Sequence, residues 1–208
     1  MQPVWTRLSR DDAHQVLNKL SGQRDAVVFS KEATEVAWRA LPFYTNYRLY
    51  RLINYATMPT FSMTYVSNGQ EFLPVDGTAH PIYAANQRDP ISMTEMNVVP
   101  YLDFFFANVQ GSEGDVFLIK DPKRMPFMDS LTPQQQQTVS KSFRPLSVIF
   151  DATDNVYRVT GTLYYGGGLI SATIIVQTDG RLAFAEQNML LSGIYFPHSP
   201  YTQQWAEG

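Results

Sequence analysis

The chain holds three histidines, His14, His80 and His198, and no cysteine. Thiolate nucleophiles, disulfides, Fe–S clusters and cysteine zinc sites are therefore excluded. His80 lies in the stretch VDGTAHPIYAANQRDP, close in sequence to Asp76, Tyr83 and Arg88. A carboxylate fixes the tautomer of an imidazole that acts as a base. Asp76 and His80 are thus the acid–base pairing that the spacing offers, and Asp76, His80, Tyr83 and Arg88 form the candidate ligand-binding set. The competing reading is structural. Asp76-Gly77 is a turn dipeptide, whose carboxylate bonds its own backbone. His80 precedes Pro81 and is expected to be extended, at the end of a hairpin.

The remaining chemistry-bearing residues are dispersed. His14 sits in a charged helix beside Asp11 and Asp12, but no second histidine has ligand spacing, so a solvated helix surface is expected. His198, in YFPHSPY, reads as a structural or surface residue of an ordered, peripheral tail. Ser192-Gly193 lacks the leading glycine of a nucleophile elbow. DATDN does not have the alternating ligands of a calcium loop, and no two carboxylates are identifiable as the facing pair of a glycosidase. No catalytic residue, metal or cofactor is assigned.

Gly166, Gly167 and Gly168 raise the question of a phosphate loop. Such a loop follows a strand and opens a helix, whose N-terminus supplies free N–H groups. Here the glycines lead into LISATIIVQT, which alternates and is β-branched. The run is expected to close a hairpin, with glycine supplying positive φ angles.

The elements that position these residues follow from periodicity. LSRDDAHQVLNKLSG is a helix with Ser9 as N-cap and an apolar face of Ala13, Val16, Leu17 and Leu20. DAVVF is expected as a short strand, and SKEATEVAWRALP as a second helix capped by Ser30 and stopped at Pro42. A sheet starts at NYRLYRLINYATM and runs through HPIYA, cut by Asn68-Gly69 and Asp76-Gly77. The main helix begins after Asn97, which puts Pro100 at the third helical position, where its missing N–H is not needed. Val98, Leu102, Phe105 and Phe106 are its core face. DVFLIKD is a strand. LTPQQQQTVSK is a helix with Thr132 as N-cap and Pro133 next. Four strands then form an antiparallel meander over roughly 145–190. The fold class is α+β, a single domain over residues 1–208, with residues 1–42 as a helical N-terminal extension and the main helix packed on a curved antiparallel sheet.

Composition supports a sizeable core: 44% of the 208 residues are hydrophobic and 13% aromatic. Net charge is −3. The first 60 residues carry eight Lys/Arg against five Asp/Glu, the rest eight against fourteen, and neither part supplies the basic face that nucleic acid requires. No run approaches the ~18 apolar residues of a membrane span, and the first residues lack the apolar segment of a secretory signal. With Met1 as the native start, a cytoplasmic protein is expected.

NVVPYLDFFFANVQGSEGDVFLI resembles a segment of an uncharacterised bacterial protein family: a V-x-x-Y-L-x-F-F helix, a Gly-Glu-Gly turn and a short strand. Its carriers are Val98, Tyr101, Leu102, Phe104, Phe105, Gly111, Glu113 and Gly114. The resemblance implies a bacterial, cytosolic origin and leaves the function open. The order of helix then meander is similar to the NTF2-like and cystatin-like architectures, an analogy of fold alone. The expected function is a soluble binding or protein-interaction module, whose partner is a protein or small molecule, with homo-oligomers allowed and nucleic acid and membrane excluded. The alternative is a cofactor-independent enzyme with His80 as acid or base, in a small aromatic-lined pocket between the main helix and the sheet.

Overall fold

The computed structural model describes residues 4–23, 26–111, 113–125 and 127–194. The chain divides into two compact units, Met1–Ser92 and Met93–Gly208. Each has its own antiparallel sheet, so the fold is α+β, as the sequence predicts.

The first unit contains β1 (Thr6–Arg7), α1 (Arg10–Leu20), β2 (Thr34–Ala40), β3 (Arg48–Asn54), β4 (Phe61–Ser67), β5 (Phe72–Pro74) and α2 (His80–Arg88). Its five strands lie in sequence order. Ser9 caps α1 through the Asp12 N–H, and Ala13, Val16, Leu17 and Leu20 are buried, the face expected from their spacing. That face packs with Val36, Leu52, Tyr65 and Phe72 of the sheet.

Three expectations fail in this unit. Residues 34–40 form a strand, so only one helix lies within the helical extension expected over residues 1–42. Ser30 does cap a turn, accepting from the Ala33 N–H at 3.3 Å, but the chain then becomes extended. Ala33, Val36, Ala37 and Ala40 fit helical spacing, yet Thr34, Val36 and Trp38 also alternate. Pairing with both β1 and β3 satisfies the backbone on two sides and decides the outcome. DAVVF is not a strand: Ala26 to Phe29 form a turn with Val27 exposed, held by the Phe29 N–H on the Ala26 carbonyl. Finally, HPIYA opens α2. Pro81 is tolerated because first-turn N–H groups need no helical partner, and Ile82, Ala85 and Asn86 line the buried face.

The second unit contains α3 (Val98–Asn108), β6 (Val116–Leu118), two short 3₁₀ turns, α4 (Pro133–Ser142), β7 (Ser147–Asp151), β8 (Val156–Tyr165), β9 (Gly168–Gln177) and β10 (Leu182–Leu191). The meander β7–β8–β9–β10 occupies the expected positions, and β6 pairs with the end of β8 that β7 leaves open. Asn97 is the N-cap residue of α3, so Pro100 stands at the third helical position. Val98, Leu102, Phe105 and Phe106 are buried, and so are Tyr101 and Phe104. The Tyr101 hydroxyl donates to the Gly180 carbonyl at 2.7 Å, tying α3 to the β9–β10 turn. Thr132 and Gln135 close a reciprocal capping box at the start of α4.

The glycine run closes the β8–β9 hairpin. Tyr165 pairs with Gly168, leaving a two-residue loop. Gly166 and Gly167 have φ of 51° and 92°, the two positive values that a type I′ turn requires. A strand follows the run, so the run does not open a helix.

Candidate functional site

Of the four residues singled out between 76 and 88, Asp76 and His80 are neighbours, Tyr83 stands one helical turn from His80, and Arg88 is paired with Glu71. Asp76 Oδ1 accepts from the Thr78 N–H at 2.9 Å and from the Thr78 hydroxyl at 2.7 Å. These bonds hold the Asp76 carboxyl below the usual carboxylate range, and the charge of nearby His80 adds the least. The turn reading of Asp76 is thus realised, with His80 beside it, exposed in the first turn of α2. Tyr83 follows one turn later and is half-buried. Arg88 lies eight residues beyond His80, about 12 Å along the axis at the helical rise. It pairs with Glu71, whose other oxygen accepts from the Tyr47 hydroxyl.

The Arg88 end of α2 is a structural lock. Asp89 is buried and accepts from the Asn46 N–H at 2.8 Å, the Asn46 amide at 3.0 Å and the Tyr47 N–H at 3.2 Å. Asn86 accepts from the Tyr44 hydroxyl at 2.5 Å. Burial, and next the Glu71 carboxylate, push the Tyr47 phenol up to about 12. These bonds pin residues 44–47 to α2 and leave Arg88 committed to Glu71.

A different set is gathered between α1 and β2. A groove of about 300 Å³ is lined by Arg7, Arg10, His14, Lys31, Thr34 and Glu35, among others. A second depression of about 210 Å³ shares Arg7, Glu32, Thr34 and Glu35 with it and extends to Tyr55. Local structure explains the walls. Ser9 and Asp12 start α1 so that His14 stands one turn in, and the Leu8 N–H on the Val36 carbonyl at 2.9 Å holds the strand that leads to α1 against β2. His14 is half-buried, and its Nε2–H donates to the Lys31 carbonyl at 3.2 Å. This corrects the expectation of a solvated His14. Arg7 pairs with Glu35 at 3.0 Å. The Thr34 hydroxyl oxygen is buried and has no hydrogen-bond partner among the described residues.

The sequence singles out His14 but not the groove, because Lys31, Thr34 and Glu35 fall in a stretch whose alanines have helical spacing. The alternation Thr34–Val36–Trp38 was the available signal. Among the described residues, no three His, Asp or Glu side chains form a group that could hold a metal ion. His198 lies outside the described residues. On α3, where an aromatic-lined pocket is the alternative expectation, Phe106 stacks on Phe184 at 6.2 Å and Phe105 meets Phe106 edge-on at 6.0 Å. No helix among the described residues is long and apolar enough to cross a membrane. Comparison with known proteins finds no matching family, no matching curated protein and no matching solved structure.

Proposed function

We propose that the protein is a non-catalytic binding module that takes a small polar ligand bearing both signs of charge between α1 and β2. The observation that carries this reading is the groove itself. Its walls present Arg7, Arg10 and Lys31 alongside Glu32 and Glu35, and they include Thr34, whose buried hydroxyl has no hydrogen-bond partner among the described residues. A buried polar atom without a partner is costly, and a ligand that bonds it recovers that cost. A volume near 300 Å³ lies at the lower end of ligand-site sizes. An amino acid or a peptide terminus has the required size and paired charges.

The alternative, a cofactor-independent enzyme using His80, rests on the proximity of Asp76 and His80 alone. The proposal also places the module in the cytoplasm of a bacterium, which fractionation of the source cells checks. Thr34→Val is the direct test of the groove. It keeps a β-branched side chain of the same shape and removes the unmatched hydroxyl, so the ligand-free melting temperature should hold or rise. A thermal-shift screen against free amino acids and dipeptides should yield a ligand whose stabilisation is reduced in Thr34→Val. A ligand that stabilises both proteins equally contradicts the assignment.

A further inference from the structure

β2 has an open edge beside the groove. The Tyr55 N–H donates to the Ala33 carbonyl at 3.0 Å, so the main chain of residue 33 faces β3. Antiparallel pairing alternates. Residues 35, 37 and 39 therefore also face β3, and 34, 36 and 38 face the β1 side. β1 covers only part of that side. Thr6 and Arg7 stand opposite Trp38 and Ala37, and the Leu8 N–H reaches the Val36 carbonyl at 2.9 Å. The register extended further sets Arg10 against Thr34, but Arg10 is the first residue of α1, and there the chain has turned off the sheet. The Thr34 N–H and C=O thus point together past the end of β1, with no partner among the described residues.

The groove and the second depression wrap this edge. Side chains alternate across a strand. Thr34 and Val36 lie on the sheet face that α1 covers, and Ala33 and Glu35 on the other. The groove reaches Ala13, His14 and Val36 on the α1 face, and the second depression reaches Ala33 and Tyr55 on the other. Arg7, Glu32, Thr34 and Glu35 line both. An extended chain along the edge sends one side chain into each, because its residues opposite Thr34 and Ala33 point to opposite faces.

We propose that the edge of β2 binds the amino-terminal end of a peptide, which adds to the sheet as a short strand antiparallel to β2. The inference rests on the groove being the ligand site, and it identifies the ligand as a peptide held through its main chain. The first peptide residue stands opposite Thr34. Its amino group donates to the Thr34 carbonyl, and its carbonyl accepts from the Thr34 N–H. Its side chain enters the groove beside α1, and the side chain of the second residue lies against Tyr55. β1 closes the line on the other side, so the end of a peptide fits and its middle does not. A parallel strand ending there would meet only one of the two Thr34 groups. Glu32, on the walls of both depressions, supplies negative charge for the amino group.

The full chain labelled with ¹⁵N provides the test. Without ligand the Thr34 N–H should exchange with solvent faster than the Glu35 N–H, which pairs with β3. Equal protection of the two would overturn the open edge and leave the groove reading standing. Titration uses three probes: a mixture of X-Leu dipeptides, X being each common amino acid; the same mixture N-acetylated; and the free amino acids. The dipeptides should slow Thr34 exchange and shift the amides of both His14 and Tyr55. The acetylated mixture is blocked at β1 and the amino acids lack the second side chain, so each should need about ten times the concentration. Equal action of either one overturns the proposal while the groove stays a ligand site. No shift by any probe overturns both readings. Thr34→Pro removes the N–H at the first residue of β2, where the strand is an edge and proline is tolerated. It should weaken dipeptide binding about tenfold more than Thr34→Val does. If Thr34→Pro does not fold, Tyr55→Ala carries the test. Tyr55 is 58% exposed, so its truncation leaves the fold intact. That variant should bind the dipeptides more weakly and the amino acids as before. Full dipeptide affinity in Thr34→Pro or in Tyr55→Ala overturns the proposal.

Discussion

A methyl group at Gly166 would lie 2.5 Å from the Glu113 carbonyl oxygen and 2.9 Å from its Cβ. At Gly167 the nearest atom would be the Ile194 carbonyl oxygen, at 3.6 Å. Both residues have positive φ, which costs a side chain about 1 kcal/mol or more. Gly166→Ala adds a clash with backbone to that strain, whereas Gly167→Ala adds none. Urea denaturation should therefore show a loss of about 1 kcal/mol for Gly167→Ala and a larger loss for Gly166→Ala. Equal losses would contradict the hairpin geometry. The sequence showed that this run turns the chain, but not which glycine is pressed against Glu113, since that contact is tertiary. Tyr47 is a second case. Its phenol, raised to about 12, stays protonated in the folded protein at a pH where an unfolded tyrosine ionises. The unfolded state then binds fewer protons, so the Tyr47 contribution to stability is full below pH ~10 and declines between about 10 and 12. The melting temperature of the parent protein should fall more steeply over that window than that of Tyr47→Phe. Parallel pH profiles would contradict the raised phenol that burial and Glu71 produce.

Helices and strands differed in how well local pattern revealed them. α1 was legible because an N-cap, an acidic first turn and a four-residue apolar face all agree. The four C-terminal strands were legible because turn residues punctuate alternating runs, as at Asp179-Gly180, where Gly180 has φ 86°. β2 was misread because its alanines satisfy helical spacing, and the partner strands that override it are distant in sequence. α2 was missed because Pro81 suggested extended chain, although proline also fits a first helical turn. α3 belongs with the legible elements. Phe105 is 5% exposed and contacts both Tyr101 and Phe106. Phe105→Ala should cost about 3–5 kcal/mol by chemical denaturation, and a loss below about 1 kcal/mol would show that this face of α3 is not core.

At the scale of the molecule, two antiparallel sheets belong to two compact units, and no linker of distinctive composition marks the boundary after Ser92. The unit boundary was therefore not legible, and neither was the groove, whose residues come from β1, α1, the segment before β2, and β2 itself. Its pairing of cationic and anionic walls is a property of the folded unit. The most direct test of the central claim is a ¹H–¹⁵N spectrum of the labelled full chain, titrated with free amino acids and dipeptides. The account predicts that at least one of them shifts the amides of residues 13–14 and 31–36 saturably and is recovered chemically unchanged. Shifts confined to residues 76–83, signals of a reaction product, or no shift of the groove amides by any of these compounds would contradict it.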